Sequence, residues 1–415
     1  MTTDTDGRAY GRETGTWDPE LVEVGAGTPS GELLRRYWHP IATSEEATDR
    51  PTEIRILGED LILFRDRSGV PGLLEPRCCH RGTTLYFGRV EDDGIRCPYH
   101  GWLFAADGTC LDQPCEPDGG RNRPRYRQPW YPVVEYNGLL FAYLGPADRQ
   151  PVFPRYDIFD GFDPETEEVE IVDHFAFGGP SVAPCNWFQT HENVMDPYHV
   201  FILHVAISGP QFSPQLEIWP HIEWQRHDWG VTSTQDRQLP DGTILHRVTE
   251  VRAPTIRVIA TPTLTVLGKT NNLSWALPID DTTTRVFAML RKPKGAEAQG
   301  MAVYAGDKSW FDLTDEEHQY FPGDYETQVG QGPITRHSTE RLATSDRGVS
   351  LVRRQFKEQV RIVADGGDPI GVSFDEGAGP ATVVAGNYIV GPDTDLDTIP
   401  LSDSLRRMAD RTVDR

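Results

Sequence analysis

The sequence predicts an α+β protein in two parts: an all-β module, then a larger domain in which an antiparallel sheet packs with helices. Three observations predict it. Short apolar runs broken by polar turns recur from residue 50 to 143. Longer strand-like runs at 169–173, 256–260, 273–277 and 284–290 are mixed with helical segments. Thr344 to Val363 puts Val349, Val352, Phe356 and Val360 on one helical face.

Taken in order, residues 17–48 read as partly helical, through Leu21 and Gly31–Tyr37 to a stop at Pro40. Glu53–Leu57 and Leu61–Arg65 flank Gly58-Glu-Asp60, a hairpin signal, and Val133–Tyr143 reads as another hairpin. Turns at Arg67-Ser-Gly69, Glu91-Asp-Asp-Gly94 and Asp107-Gly108 punctuate the stretch between. The Pro-rich segment from Gly145 to Pro154 marks a boundary. The expected division is a helical segment over 1–45 packed on the larger domain, the β module over 46–148, and the larger domain over 149–415.

A net charge of −23 argues against nucleic acid as a partner, because phosphate binding draws on clustered Lys and Arg. It leaves room for a small anionic substrate, since one local arginine can hold a carboxylate in an acidic protein. The first fifteen residues have no basic or apolar region of the secretory kind, and no apolar run is long enough to span a bilayer. Of six cysteines, five fall between Cys78 and Cys115, which suggests a metal site in a reducing compartment. A cytoplasmic protein is expected.

Residues 78–82 read Cys-Cys-His-Arg-Gly, and 97–102 read Cys-Pro-Tyr-His-Gly-Trp. The pattern is C-x-H, then C-x-x-H, with Cys78, His80, Cys97 and His100 as candidate ligands. A Rieske [2Fe–2S] cluster needs two thiolates on one iron and two imidazoles on the other, and two such loops meet that need. Zinc is the competing reading, but its chelating pairs are usually spaced by two to four residues, which a one-residue C-x-H gap fits poorly. That gap makes Cys79 a spacer, expected as a small buried filler. Cys110, Cys115 and Cys185 match no ligand position.

Residues 186–204 hold a second constellation: Asp196, His199 and His204, with His191 upstream. Two His and one carboxylate with open positions form the facial triad of non-haem Fe(II) oxygenases. On a regular helix a five-residue step turns His204 about 140° from His199, so the two can share a metal only if the helix ends or distorts between them.

Residues 78–102 resemble the Rieske centre of ring-hydroxylating oxygenases. The disulfide of respiratory Rieske proteins is missing, with Thr83 and Tyr99 at its positions. Asp196, His199 and His204 match that family's D-x-x-H-x-x-x-x-H; His191 lies outside the pattern and is read as structural, and the resemblance implies that Asn193 lines the iron pocket. The likeness extends to Gly27–Trp38, to Trp275–Asp281 and to Thr344–Arg354, and is to the phthalate-dioxygenase-like branch. It implies an alpha-type oxygenase component with a helix-grip catalytic domain, a mononuclear Fe(II), and Asp196 linking an iron-ligating His to a Rieske His of a neighbouring subunit. The third iron ligand it implies is Asp346, three residues before Val349, with Asp365, Asp368 and Asp375 as weaker candidates. A homotrimer or hexamer is implied, fed by a separate NAD(P)H-dependent reductase, with or without a ferredoxin. The expected reaction is hydroxylation, dihydroxylation or O-demethylation of an aromatic, carboxylated compound. Competing classes are a Rieske oxygenase acting on a non-aromatic substrate, such as an N-demethylase or sterol type, and a Rieske electron-transfer protein.

Overall fold

Among the described residues the chain builds four sheets. The computed structural model describes residues 13–172, 179–209, 211–296 and 308–400, with 402, 403 and 405. The N-terminal residues read for a secretory signal fall largely outside that range, as does Asp173 at the end of the first long strand run. The helices among them are α1 Pro19–Val22, α2 Pro29–Leu34, α3 Trp187–Glu192, α4 Tyr198–Phe201, α5 Asp315–Tyr320, α6 Asp324–Gly330 and α7 Arg347–Ala364. None is long and apolar enough to cross a membrane.

The first hairpin joins Thr52–Ile56 to Glu59–Arg65. Its turn is Leu57-Gly58, both at positive φ (49° and 78°). Two such residues give the tight turn whose twist matches the strands, so Glu59 and Asp60 belong to the strand and not to the expected turn. Val133–Tyr136 and Leu139–Tyr143 close the other hairpin over Asn137-Gly138, again both at positive φ. Pro71–Leu74 and Trp130–Tyr131 complete the first four-stranded sheet. A second, of Arg89–Glu91, Gly94–Arg96, Leu103–Phe104 and Cys110–Asp112, carries one of the cysteine–histidine loops between its middle strands.

Trp38–Thr43, where the sequence suggests a helix ending at Pro40, is instead a strand paired with Leu139–Tyr143. It is the edge of a three-stranded sheet, where a proline that cannot donate is tolerated, and the register slips between Pro40 and Ala42. The segment before residue 45 therefore divides: α1 and α2 lie against α7, while its last residues join the β module.

The fourth sheet is antiparallel with ten strands. Its main path runs Glu167–Val172, Thr283–Pro293, Asn272–Asp280, Ile256–Val258, Ile244–Arg252, Gly230–Gln238 and His221–His227. Helix α7 packs on its far strands and buries Val349, Val352, Phe356 and Val360, the stripe read from sequence. Each of these side chains contributes about 1.5–3 kcal/mol on burial. Arg353, on the same helix, makes a two-pronged pair with the buried Glu192 at 2.6 Å, clamping α7 to α3.

Candidate metal centres and active site

Two tight loops face each other on the β module. In each, the glycine four residues after the cysteine turns the chain with a left-handed φ, +73° at Gly82 and +76° at Gly101, and donates its N–H back to the cysteine carbonyl, Cys78 or Cys97. Arg96 braces the second loop, donating to the Gly101 carbonyl at 2.5 Å while paired with Glu91 and Asp112. The loops bring Cys78 and Cys97 together as buried neighbours, and set the His80 and His100 rings 4.6 Å apart, edge to face. Trp102 stacks on His80 at 4.5 Å and fixes its plane.

This donor set fits a Rieske cluster: two thiols at the base, two half-exposed imidazoles at the rim. Burial pushes the Cys78 thiol up to about 12, so the thiolates need the positive charge of the irons to form. Cys79 is exposed, not the buried filler expected; its N–H donates to the Gln128 amide oxygen at 2.8 Å, and that hydrogen bond sets the spacer. Cys110 and Cys185 are buried packing residues, and the exposed Cys115 lies against the His100 carbonyl.

The second group forms where helical geometry changes. Asn186 caps α3, accepting from the Phe188 N–H at 3.0 Å, and a 3₁₀ turn, Asn193–Met195, follows the helix. Helix α4 carries His199, and the chain then widens into a π-helix over Ile202–Ile207 carrying His204. A π-helix closes bonds from i to i+5, so a five-residue step returns nearly to the same face. That is the distortion the spacing requires. The two rings stand 5.5 Å apart, with Phe212 stacked on His204 at 4.1 Å.

The carboxylate that meets them is Asp324, the first residue of α6. Its oxygens lie 3.5 Å from His199 Nε2 and 3.4 Å from His204 Nε2. His199, His204 and Asp324 are the group among the described residues that could hold a metal ion. His204 Nδ1 donates to the Gln211 amide oxygen at 2.7 Å, and His199 Nδ1 to the Asp196 backbone carbonyl. With each proton on Nδ1, both Nε2 lone pairs turn toward Asp324, and the Asn193 amide lies 3.4 Å from that of His199. His204 Nε2 is buried with no hydrogen-bond partner. Burial alone would raise the Asp324 carboxyl, but positive charge on the two imidazoles, in their protonated form, and the Asn193 amide hold it well below the usual carboxylate range. Lone pairs, orphaned nitrogen and buried carboxylate together fit a divalent cation with positions left open.

Asp346 is not in this group. It is the half-buried N-cap of α7, and its carboxylate turns back to accept from the Ala343 N–H at 2.6 Å. The reason is local: at a helix start the backbone is not yet helical (φ −90°, ψ 18°), so the inward stripe does not extend to that position. Asp368 is spent on Arg149 and Arg36 at the surface. Sequence reasoning missed Asp324 because its short helix buries polar residues, Asp324 and Gln328, and shows no apolar stripe. The available signal was Glu326, two residues after the aspartate, whose carboxylate accepts from the Gly323 N–H at the helix start.

Asn193 lines the pocket and donates to Asp324 at 3.1 Å. Asp196 lies on the wall between that pocket and an outer groove shared with Glu192, Asp346 and Arg353; its carboxylate is 3.7 Å from His199 Nδ1 and accepts from the Tyr198 N–H. His191 is buried in the core beside Trp187 and Phe188, as a structural residue. The pocket above the triad, a cavity of about 140 Å³, is walled by Val172, Ile259, Val286, Ala288 and Leu290 from one face of the large sheet.

Comparison with known proteins agrees with these two centres. Residues 37–133 match the Rieske [2Fe-2S] domain family. The chain is 48% identical over 395 residues to the phenoxybenzoate dioxygenase alpha subunit of Ectopseudomonas oleovorans, covering 93% of this chain and 95% of that one. It is 36% identical to the tert-butanol monooxygenase / tert-amyl alcohol desaturase oxygenase subunit of Aquincola tertiaricarbonis, over 82% of this chain and 76% of that. Among solved structures, dicamba monooxygenase bound to dicamba superposes with a TM-score of 0.58 at 18% identity, covering 80% of this chain and 99% of that one, which shows a shared fold. The chain belongs to the Rieske non-haem iron oxygenases as an alpha-type oxygenase component, an oxidoreductase that carries a [2Fe–2S] cluster and a mononuclear non-haem iron.

Proposed function

We propose that this oxygenase component uses O₂ and reductase-supplied electrons, ultimately from NAD(P)H, to hydroxylate, dihydroxylate or O-demethylate an aromatic, carboxylated compound in the cytoplasm. The observation that carries the reading is the His199–His204–Asp324 group at the base of an apolar pocket. Iron(II) held there supplies oxygen activation when bound. The chain's own residues do the rest. Gln211 and the Asp196 carbonyl keep the imidazoles in the tautomer that ligates. Phe212 and the sheet's valines and leucine give a flat, water-excluding surface for a ring.

Electrons enter through the half-exposed rim of His80 and His100, flanked by the exposed Tyr99 ring against His100. In this reading Asp196, open to the outer groove, links the catalytic pocket to the cluster of a neighbouring subunit, and the working assembly is a trimer or a pair of trimers. A separate reductase, with or without a ferredoxin, delivers the electrons, as the family's component naming supports.

A second reading, oxygenation of a non-aromatic compound, is favoured by the likeness to the tertiary-alcohol enzyme. Product identification separates the two. Reductase-coupled turnover under ¹⁸O₂ with benzoates, phthalates, methoxylated aromatic acids and tertiary alcohols should give a labelled ring hydroxyl or, from a methoxy group, an unlabelled phenol with formaldehyde whose oxygen comes from O₂. Label only in an aliphatic alcohol would replace the first reading with the second.

A further inference from the structure

Three arginines project from one face of the large sheet, on neighbouring strands: Arg237, Arg247 and Arg257. Strand register fixes the shared face, since Gln235 pairs with Arg247 and Val251 with Arg257, at even spacing along Ile244–Arg252. All three are buried, and their surroundings differ. Arg237 donates to the Ile218 carbonyl at 2.9 Å and to Gln235 at 3.3 Å. Arg247 donates to Asn387 at 2.7 Å and to the carbonyls of Ala260 and Thr261. The Arg257 side chain makes no hydrogen bond or ion pair among the described residues, and its Nε is buried without a partner.

A buried cation without a partner is costly unless something else supplies the countercharge. Burial pushes the Arg257 guanidinium down to about 10, with Asp324 and Cys185 opposing. Asp324 acts only at a distance, because no carboxylate oxygen lies within 4.0 Å of Arg257 among the described residues. Its charge is also shared with the metal it would hold: a divalent ion and one carboxylate leave a net positive site. Arg257 and Arg247 line the same pocket as His199, Asp324 and Asp196; the two guanidiniums balance the two carboxylates, so a divalent ion at the triad leaves the pocket with an excess of positive charge over apolar walls. A neutral ring would satisfy the walls and leave the guanidinium unpaired. A ring bearing a carboxylate satisfies both, and a planar guanidinium matches a planar carboxylate with two parallel bonds.

We propose that Arg257 is the specificity-determining anchor of this pocket, receiving the carboxylate of an aromatic acid and holding the ring along the sheet toward His199, His204 and Asp324. Arg247, with both terminal nitrogens already engaged, contributes field and not contact. The proposal rests on the reading of this pocket as the oxygenase site, and it names the residue that selects the substrate there.

Calorimetric titration of phenoxybenzoate and of its neutral isostere phenoxybenzamide into the holoenzyme tests it, for wild type, R257Q and R257K. The wild type should bind the acid at least tenfold tighter than the amide. R257Q should lose acid affinity tenfold or more and keep amide affinity within twofold, and R257K should fall between. Equal losses for acid and amide, or unchanged acid binding in R257Q, would overturn the proposal. If R257Q does not fold, R257K decides: an acid preference narrowed at least threefold supports the anchor, and an unchanged preference overturns it. Failure of the oxygenase reading looks different, as no O₂ consumption by wild type with any ring compound. Failure of the anchor alone leaves turnover intact without a preference for acids.

Discussion

Asn193 Nδ2 donates a hydrogen bond to Asp324 Oδ1 at 3.1 Å, joining residues 131 positions apart. The same oxygen also accepts from Gln328 at 3.2 Å, so the carboxylate is held from two sides before any metal arrives. Outer partners of this kind are worth 10–100-fold in metal affinity. Because Gln328 remains, Asn193→Ala should weaken mononuclear iron binding by about tenfold, the low end of that range. Chelator competition on the purified oxygenase checks it, with the cluster spectrum unchanged. Iron retention equal to wild type would remove Asn193 from the site.

Stability should fall on mild acidification for a reason separate from the metals. Burial lowers His191 to about 3 and His39 to about 4, against 6.5 when free. The unfolded chain takes up protons below 6.5 that the fold excludes, so their contribution is fully present above that pH and is lost as pH falls toward 4 and 3. Each histidine costs about 1.4 kcal/mol per pH unit within its window. Urea midpoints at pH 7 and 5.5 measure the slope, and His191→Leu should reduce it by about 1 kcal/mol per pH unit. An unchanged slope in that variant would contradict the assignment.

Gly348, at the start of α7, sits where any side chain meets backbone. A Cβ there would lie 2.2 Å from the Met195 carbonyl and 2.2 Å from Trp224 Nε1, which are hydrogen-bonded to each other. Gly348→Ala should destabilise by about 1–3 kcal/mol through overpacking. It also presses on the residue before Asp196, so turnover should fall more than substrate affinity. Thermal unfolding with a KM-against-kcat comparison tests both halves, and a variant matching wild type in stability would show that the contact relaxes freely.

Much of this was legible in the chain. The C-x-H and C-x-x-H loops, the hairpin turn at Asn137-Gly138 and the stripe on α7 are local signals, fixed by ligand spacing, turn chemistry and helical period. The five-residue step between His199 and His204 even required a helix distortion, and a π-helix lies there. What could not be read was long-range. Asp324 reaches the histidines from 120 residues away on a two-turn helix whose inner face is polar, while Asp346 stood at the head of an obvious amphipathic helix and drew the assignment. Likewise, Pro40 looks like a helix stop, and only pairing with Leu139–Tyr143 reveals an edge strand.

The central claim is that Asp324, and not Asp346, completes the mononuclear iron site with His199 and His204. Iron per chain, read beside the Rieske visible spectrum in Asp324→Ala and Asp346→Ala, tests it most directly. Wild type should carry about three irons, since the cluster takes two and the facial triad one. Asp324→Ala should drop to about two with the cluster spectrum intact, and Asp346→Ala should keep about three, losing only about 1 kcal/mol with its hydrogen bond from the Ala343 N–H. Loss of the third iron in Asp346→Ala, with full iron in Asp324→Ala, would contradict the account.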